Sequence, residues 1–115
     1  MAVTTVGTQG QYFQRATCTA QNDAVTQQRF STWSYAAFQL DGTWTGTVTF
    51  EATVNGATWV TVSVTPSNSV TTVTTATANG VWYVQITGFQ GIRARFSTAS
   101  SGTVDISIKT LPSQY

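Results

Sequence analysis

The sequence predicts an all-β fold, an antiparallel β-sandwich or jelly roll with an N-terminal arm, on three observations. Apolar and polar residues alternate with a period of two along several stretches, and Asx-Gly pairs punctuate those stretches at short intervals. No stretch sustains the recurrence of about 3.6 residues that marks an amphipathic helix. The hydrophobic content of 41% and aromatic content of 12% are enough for a packed core and argue against disorder. At 115 residues the chain is one domain.

Residues 1–34 read as an N-terminal arm with one or two strands. Met1–Gln11 is small and polar without a period, as loosely tethered termini are. Tyr12–Thr19 and Ala24–Ser34 each have room for a strand, and Asn22-Asp23 is a turn between them. Residues 35–115 read as the sandwich. Its first strand is Ala36–Leu40, followed by a hairpin turn at Asp41-Gly42, where both residue types tolerate positive φ. Thr43–Val54 alternates almost without a break. Trp44, Gly46, Val48, Phe50, Ala52 and Val54 share the core face, while threonines and Glu51 share the other. Gly46 marks a bulge or bend in a strand of that length. Further turns are predicted at Asn55-Gly56, at Asn79-Gly80, between Gly88 and Gly91, and at Ser101-Gly102. Between them lie strands at Thr58–Thr65, Val70–Ala76, Val81–Thr87, Ile92–Ser97 and Thr103–Thr110. In the last two, Ile92, Ala94 and Phe96, then Val104, Ile106 and Ile108, form the inward face.

The composition is poor in catalytic groups. There is no histidine, which removes the commonest general base and zinc ligand. The single Cys18 excludes an internal disulfide and reads as a small core or interface residue. The acidic residues Asp23, Asp41, Glu51 and Asp105 are scattered, with Glu51 and Asp105 on the polar faces of strands. A carboxylate pair for hydrolysis would require two of them to converge in a cleft. No loop offers a clustered set of oxygen ligands for calcium, and no metal or other cofactor is expected. The net charge of +1 gives no footprint for nucleic acid or an anionic membrane. No apolar run approaches the roughly 20 residues of a membrane span, and MAVTTVGTQG lacks the pattern of a secretory signal. The chain reads as a binding or structural protein made in the cytoplasm, and not as an enzyme.

Three groups of residues are candidates for contacts. Arg93 and Arg95 project side by side from the outer face of one strand, and an arginine fork suits carboxylates on a partner. Val81 and Tyr83, opposite Trp82 and Val84, make their strand apolar on both faces, as at a subunit contact. Trp44 and Trp82 fall on core faces, which leaves Trp33 and Trp59 as a possible platform for a sugar ring. The charged fraction of only 8% suits a chain embedded among identical copies.

Residues Phe38 to Ile108, about two-thirds of the chain, carry an ordered set of motifs. These are GTWTGTVTFE at Gly42–Glu51, an N-G turn and tryptophan at Asn55–Trp59, and NGVWY at Asn79–Tyr83. GFQGIRAR at Gly88–Arg95 and SGTV at Ser101–Val104 complete the set. In that order they resemble a small β-sandwich domain found in virion proteins of tailed bacteriophages. The resemblance implies a structural protein of the virion, above all a capsid decoration or cement protein on the outer head surface. Its implied partners are the major capsid protein and further copies of itself, as a homotrimer, with Arg93 and Arg95 matching the family's R-x-R at such contacts. The alternative is a receptor- or glycan-binding module of a tail fibre, using Trp33 and Trp59. The resemblance brings no catalytic residue.

Overall fold

The computed structural model describes residues 4–5, 13–28 and 33–112. The strands are β1 (Thr4–Thr5), β2 (Phe13–Cys18), β3 (Ala24–Gln28), β4 (Trp33–Thr53), β5 (Val60–Thr61), β6 (Thr65–Pro66), β7 (Thr75–Ala76), β8 (Gly80–Gln85) and β9 (Gly91–Pro112). All pair antiparallel in one nine-stranded sheet, and the described residues contain no helix. Of the predicted N-terminal region 1–34, residues 1–3, 6–12 and 29–32 lie outside the described residues.

The spine of the molecule is the ribbon formed by β4 and β9, 21 and 22 residues long. They pair from Trp33↔Pro112 to Thr53↔Gly91. β2 and β3 lie end to end along the free edge of β9, and β8, β7 and β5 lie along the free edge of β4. β6 adds to β8, and β1 to β2. The ribbon is bent in its middle. One leaf holds residues 33–42 of β4, residues 103–112 of β9, β2 and β8; the other holds residues 47–53 of β4, residues 91–98 of β9, β3, β5 and β7. Phe50 of the second leaf lies 4.9 Å from Phe38 and 5.5 Å from Trp82 of the first, ring centroid to centroid. The sheet therefore doubles over on one core.

Period-two alternation builds that core. Ala36, Phe38, Leu40, Val48, Phe50 and Ala52 of β4 are buried, as are Ile92, Ala94, Phe96, Val104, Ile106 and Ile108 of β9. β2 and β3 contribute Ala16, Cys18 and Val25, and β8 contributes Trp82 and Val84. Burying each large side chain of this kind stabilises the fold by about 1.5–3 kcal/mol. The inward faces expected from the sequence in β4 and β9 are the inward faces found. Val54 is an exception at 68% exposed, because β4 ends at Thr53.

Three expected turns are corrected. Asp41-Gly42 and Ser101-Gly102 do not reverse the chain; both lie inside the long strands, with Gly42 paired to Val104 and Gly102 to Trp44. Their positive φ values, +103° and +81°, bend the ribbon instead of closing a turn. A β-carbon at Gly102 would collide with the Thr43 carbonyl oxygen, so only glycine fits there. Gly46 is the bend the sequence anticipated, with register shifts between Thr45 and Gly46 and between Thr47 and Val48. Asn79-Gly80 is not a hairpin either. It joins β7 to β8, which follow the same edge of β4, and the Asn79 side chain bridges the gap. Its Nδ2 donates to the Gly42 carbonyl at 3.0 Å, and its Oδ1 accepts from Trp44 Nε1 at 2.7 Å.

The region 58–76 also differs from expectation. In place of two full strands it holds the two-residue strands β5, β6 and β7 and a single bridge, Val64↔Val73. The segment crosses from the edge of β4 to the edge of β8, so each pairing is brief. Pro66, lacking an N–H, suits the outermost position it takes on β6.

Candidate functional site

The outer face of the second leaf is organised around Glu51. Register sets Glu51 of β4 directly opposite Arg93 of β9, with Arg95 opposite Thr49 on the same face. Arg93 Nε donates to Glu51 Oε1 at 2.6 Å. Arg95 Nε donates to Oε1 at 3.2 Å and its Nη2 to Oε2 at 3.0 Å. Arg95 Nη1 reaches Asn22 Oδ1 at 2.7 Å, in the loop between β2 and β3. Arg93 also lies over the Trp59 ring, its guanidinium carbon 4.4 Å from the centroid, a cation–π contact.

This is a closed charge cluster. Glu51 is buried, 6% exposed, and was expected on a solvated face. Burial works against its charge, but hydrogen bonds from Arg95 and Arg93, and then their positive charges, outweigh it and hold the carboxyl below its usual range. Glu51 in turn, through its hydrogen bond, raises Arg95 above its ordinary value against the opposing effect of burial. Arg93 and Arg95 remain about a quarter exposed, at 24% and 27% of their side chains. The R-x-R pair thus stands side by side as predicted and is held within the chain.

The outer face of the first leaf is different. Tyr35 and Tyr83 are 56% and 49% exposed. Tyr83 sits opposite Ala37, and Val81 opposite Gln39, on the same outward face. That face also carries Asp41 and Asp105, which are direct cross-strand partners. Thr17 Oγ1 donates to Asp105 Oδ1 at 2.7 Å. Sequence spacing gave no hint of this carboxylate pair, because it depends on the register of strands more than 60 residues apart.

The remaining candidates sort by burial. Cys18 is fully buried, and burial, with Asp23 and Asp105 nearby, pushes its thiol up to about 12, which keeps it protonated. Asp23 is fully buried and accepts the backbone N–H groups of Thr19 and Ala20, fixing the loop between β2 and β3. Trp59 is partly buried with Arg93 on its ring, and the side chain of Trp33 lies outside the described residues. Trp44 packs edge-on against Phe96 with ring centroids 5.8 Å apart. A groove of about 290 Å³ beside Trp82 is lined by Pro66, Ser67, Asn68, Thr77 and Asn79. Trp82 itself is only 8% exposed there.

No family model matches the chain, and no curated protein matches it. Among solved structures it is similar to the crystal structure of the SPBc2 prophage-derived protein YomS, with a TM-score of 0.64 and 12% sequence identity. The match covers 86% of this chain and 95% of that one. At that identity the likeness is one of fold.

Proposed function

We propose that this chain is a non-enzymatic structural protein of a bacteriophage particle, a decoration or cement protein that binds the outer surface of the head and holds neighbouring capsomers together. The observation that carries this reading is the outward face of β4 and β8, where Tyr35, Val81 and Tyr83 present apolar surface in a chain with only 8% charged residues. Exposed apolar patches of this kind mark protein contacts. The shared fold with a prophage-derived protein supports a phage origin, and the ordered motifs from Gly42 to Val104 support a virion role.

The mechanism is many modest contacts repeated by symmetry, so that avidity stabilises a shell that no single contact would hold. Its partners are the major capsid protein and further copies of the chain. The glycan-binding alternative has less support, because Arg93 occupies one face of Trp59. The test is co-sedimentation of the purified chain with heads assembled from the capsid protein of the same phage. Saturable binding that raises the temperature of head disruption is the expected result. Absence of binding to both unexpanded and expanded heads overturns the proposal.

A further inference from the structure

The outer face of the first leaf carries a charge pattern complementary to itself. Its side chains fall in rows across β8, β4, β9 and β2. One row contains Tyr83, Ala37, Lys109 and Phe13. The next contains Val81, Gln39, Ser107 and Arg15, and the third Asp41, Asp105 and Thr17. Lys109 therefore stands two rows from the aspartate pair, about 13 Å along the strand. Two like charges directly opposite one another on adjacent strands destabilise a sheet. Among the described residues neither Asp41 nor Lys109 forms an ion pair within the chain.

We infer that this face pairs with the same face of a second copy about a twofold axis along the Gln39–Ser107 row. The axis lies in the interface and crosses the strands, so the two sheets stack with strands nearly aligned, as packed sheets do. It exchanges the first and third rows. Lys109 of each copy then lies over the Asp41–Asp105 pair of the other, so ammonium and carboxylates meet twice. Val81, Gln39, Ser107 and Arg15 lie on the axis row and each meets its counterpart, while Tyr83 and Ala37 flank it; Arg15, at the edge of the face, has a partner within its own chain. A twofold contact needs this kind of self-complementary patch, whereas a threefold contact joins two different patches. The twofold arrangement therefore accounts for a feature that the homotrimer implied by the phage resemblance leaves open.

The dimensions agree. Four strands about 4.8 Å apart and about seven residues of roughly 3.4 Å each give about 460 Å² per copy, or about 900 Å² in all. That is just below the roughly 1,000 Å² of a specific, stable interface and fits a weak, reversible pair. The inference does not depend on the phage-head reading, since association in solution is measured without heads.

Light scattering on the full chain up to about 1 mM tests it. The expected result is a mass of twice 12.3 kDa at high concentration, with association weakening as salt rises. Lys109→Glu alone, and Asp41→Lys with Asp105→Lys, should each weaken association about tenfold or more while melting as folded proteins. Mixing the two variants should restore a heterodimer, because each new charge then meets its opposite. A monomeric wild type, a trimer, or folded variants that still dimerise as well as wild type would each overturn the inference. So would a mixture of folded, monomeric variants that fails to associate.

Discussion

Replacing Glu51 by glutamine keeps the shape of the side chain and removes its charge from between Arg93 and Arg95. Three charge-assisted hydrogen bonds, at 2.6, 3.2 and 3.0 Å, become neutral or are lost. Breaking a fully buried pair costs about 3–5 kcal/mol. Here both guanidiniums are about a quarter exposed and turn partly to water, so a loss of about 2 kcal/mol at neutral pH is the better figure. For a domain near this size that lowers the melting temperature by about 8 °C. The decisive assay is the same comparison as pH falls. The carboxyl of Glu51 is held below its usual range in the folded state, so its contribution is fully present above the unfolded value of about 4.3. It is lost as pH drops through the lower folded value. The other carboxylates are common to both proteins and cancel in the difference. Denaturant unfolding of wild type and Glu51→Gln should therefore show a gap at pH 7 that closes below about pH 4. A gap that stays constant down to pH 2 would show that the substitution acts through packing and that the ion cluster is not a source of stability.

Three further outcomes follow from the same geometry. Phe50→Ala should cost about 3–5 kcal/mol in denaturant unfolding, because Phe50 is fully buried and touches both Phe38 and Trp82; a loss below about 1 kcal/mol would contradict the folded-over core. Gly102→Ala should destabilise by clearly more than Gly88→Ala. Both have positive φ, worth about 1–2 kcal/mol of strain, but only at Gly102 does the new carbon strike backbone, while Gly88 has nothing within 4 Å; equal losses would show that Gly102 is not a close approach. Cys18, buried and with its thiol pushed up to about 12, should resist a thiol reagent at pH 8 until the protein unfolds; fast labelling of the native state would place it at the surface.

The faces of this fold were legible because side-chain alternation is local. Ile92, Ala94, Phe96, Val104, Ile106 and Ile108 all point inward as their spacing requires. The turns were not equally legible. Glycine after Asp41 and after Ser101 supplies positive φ, and that conformation serves a hairpin or a bend in a continuous strand equally well. What separates the two is whether a partner strand runs past the glycine, and β9 lies about 60 residues from this part of β4. The candidate site shows the same limit. The side-by-side placement of Arg93 and Arg95 is a two-residue spacing within one strand. Their partner Glu51 depends on the register of the whole ribbon, which shifts by one residue at each of two bulges between Thr45 and Val48. A reading that set one long antiparallel pair of β4 and β9 side by side would have found Glu51 and the Asp41–Asp105 pair together.

In a chain with so few charges, their placement separates two roles. On the second leaf a buried carboxylate sits between two guanidiniums, one of which also covers Trp59, so charge and hydrogen-bonding capacity are largely satisfied within the chain. Such a cluster fixes β4, β9 and the loop before β3 against one another, because Arg95 bonds both Glu51 and Asn22. On the first leaf two aspartates stand side by side, with Lys109 two rows away. That arrangement costs stability in the isolated chain. A sequence that folds on the strength of its apolar faces tolerates such a cost where association recovers it. On the twofold pairing proposed above, the closed cluster serves folding and the open one assembly. Substitutions at Glu51 should therefore act on unfolding, and those at Lys109 on association.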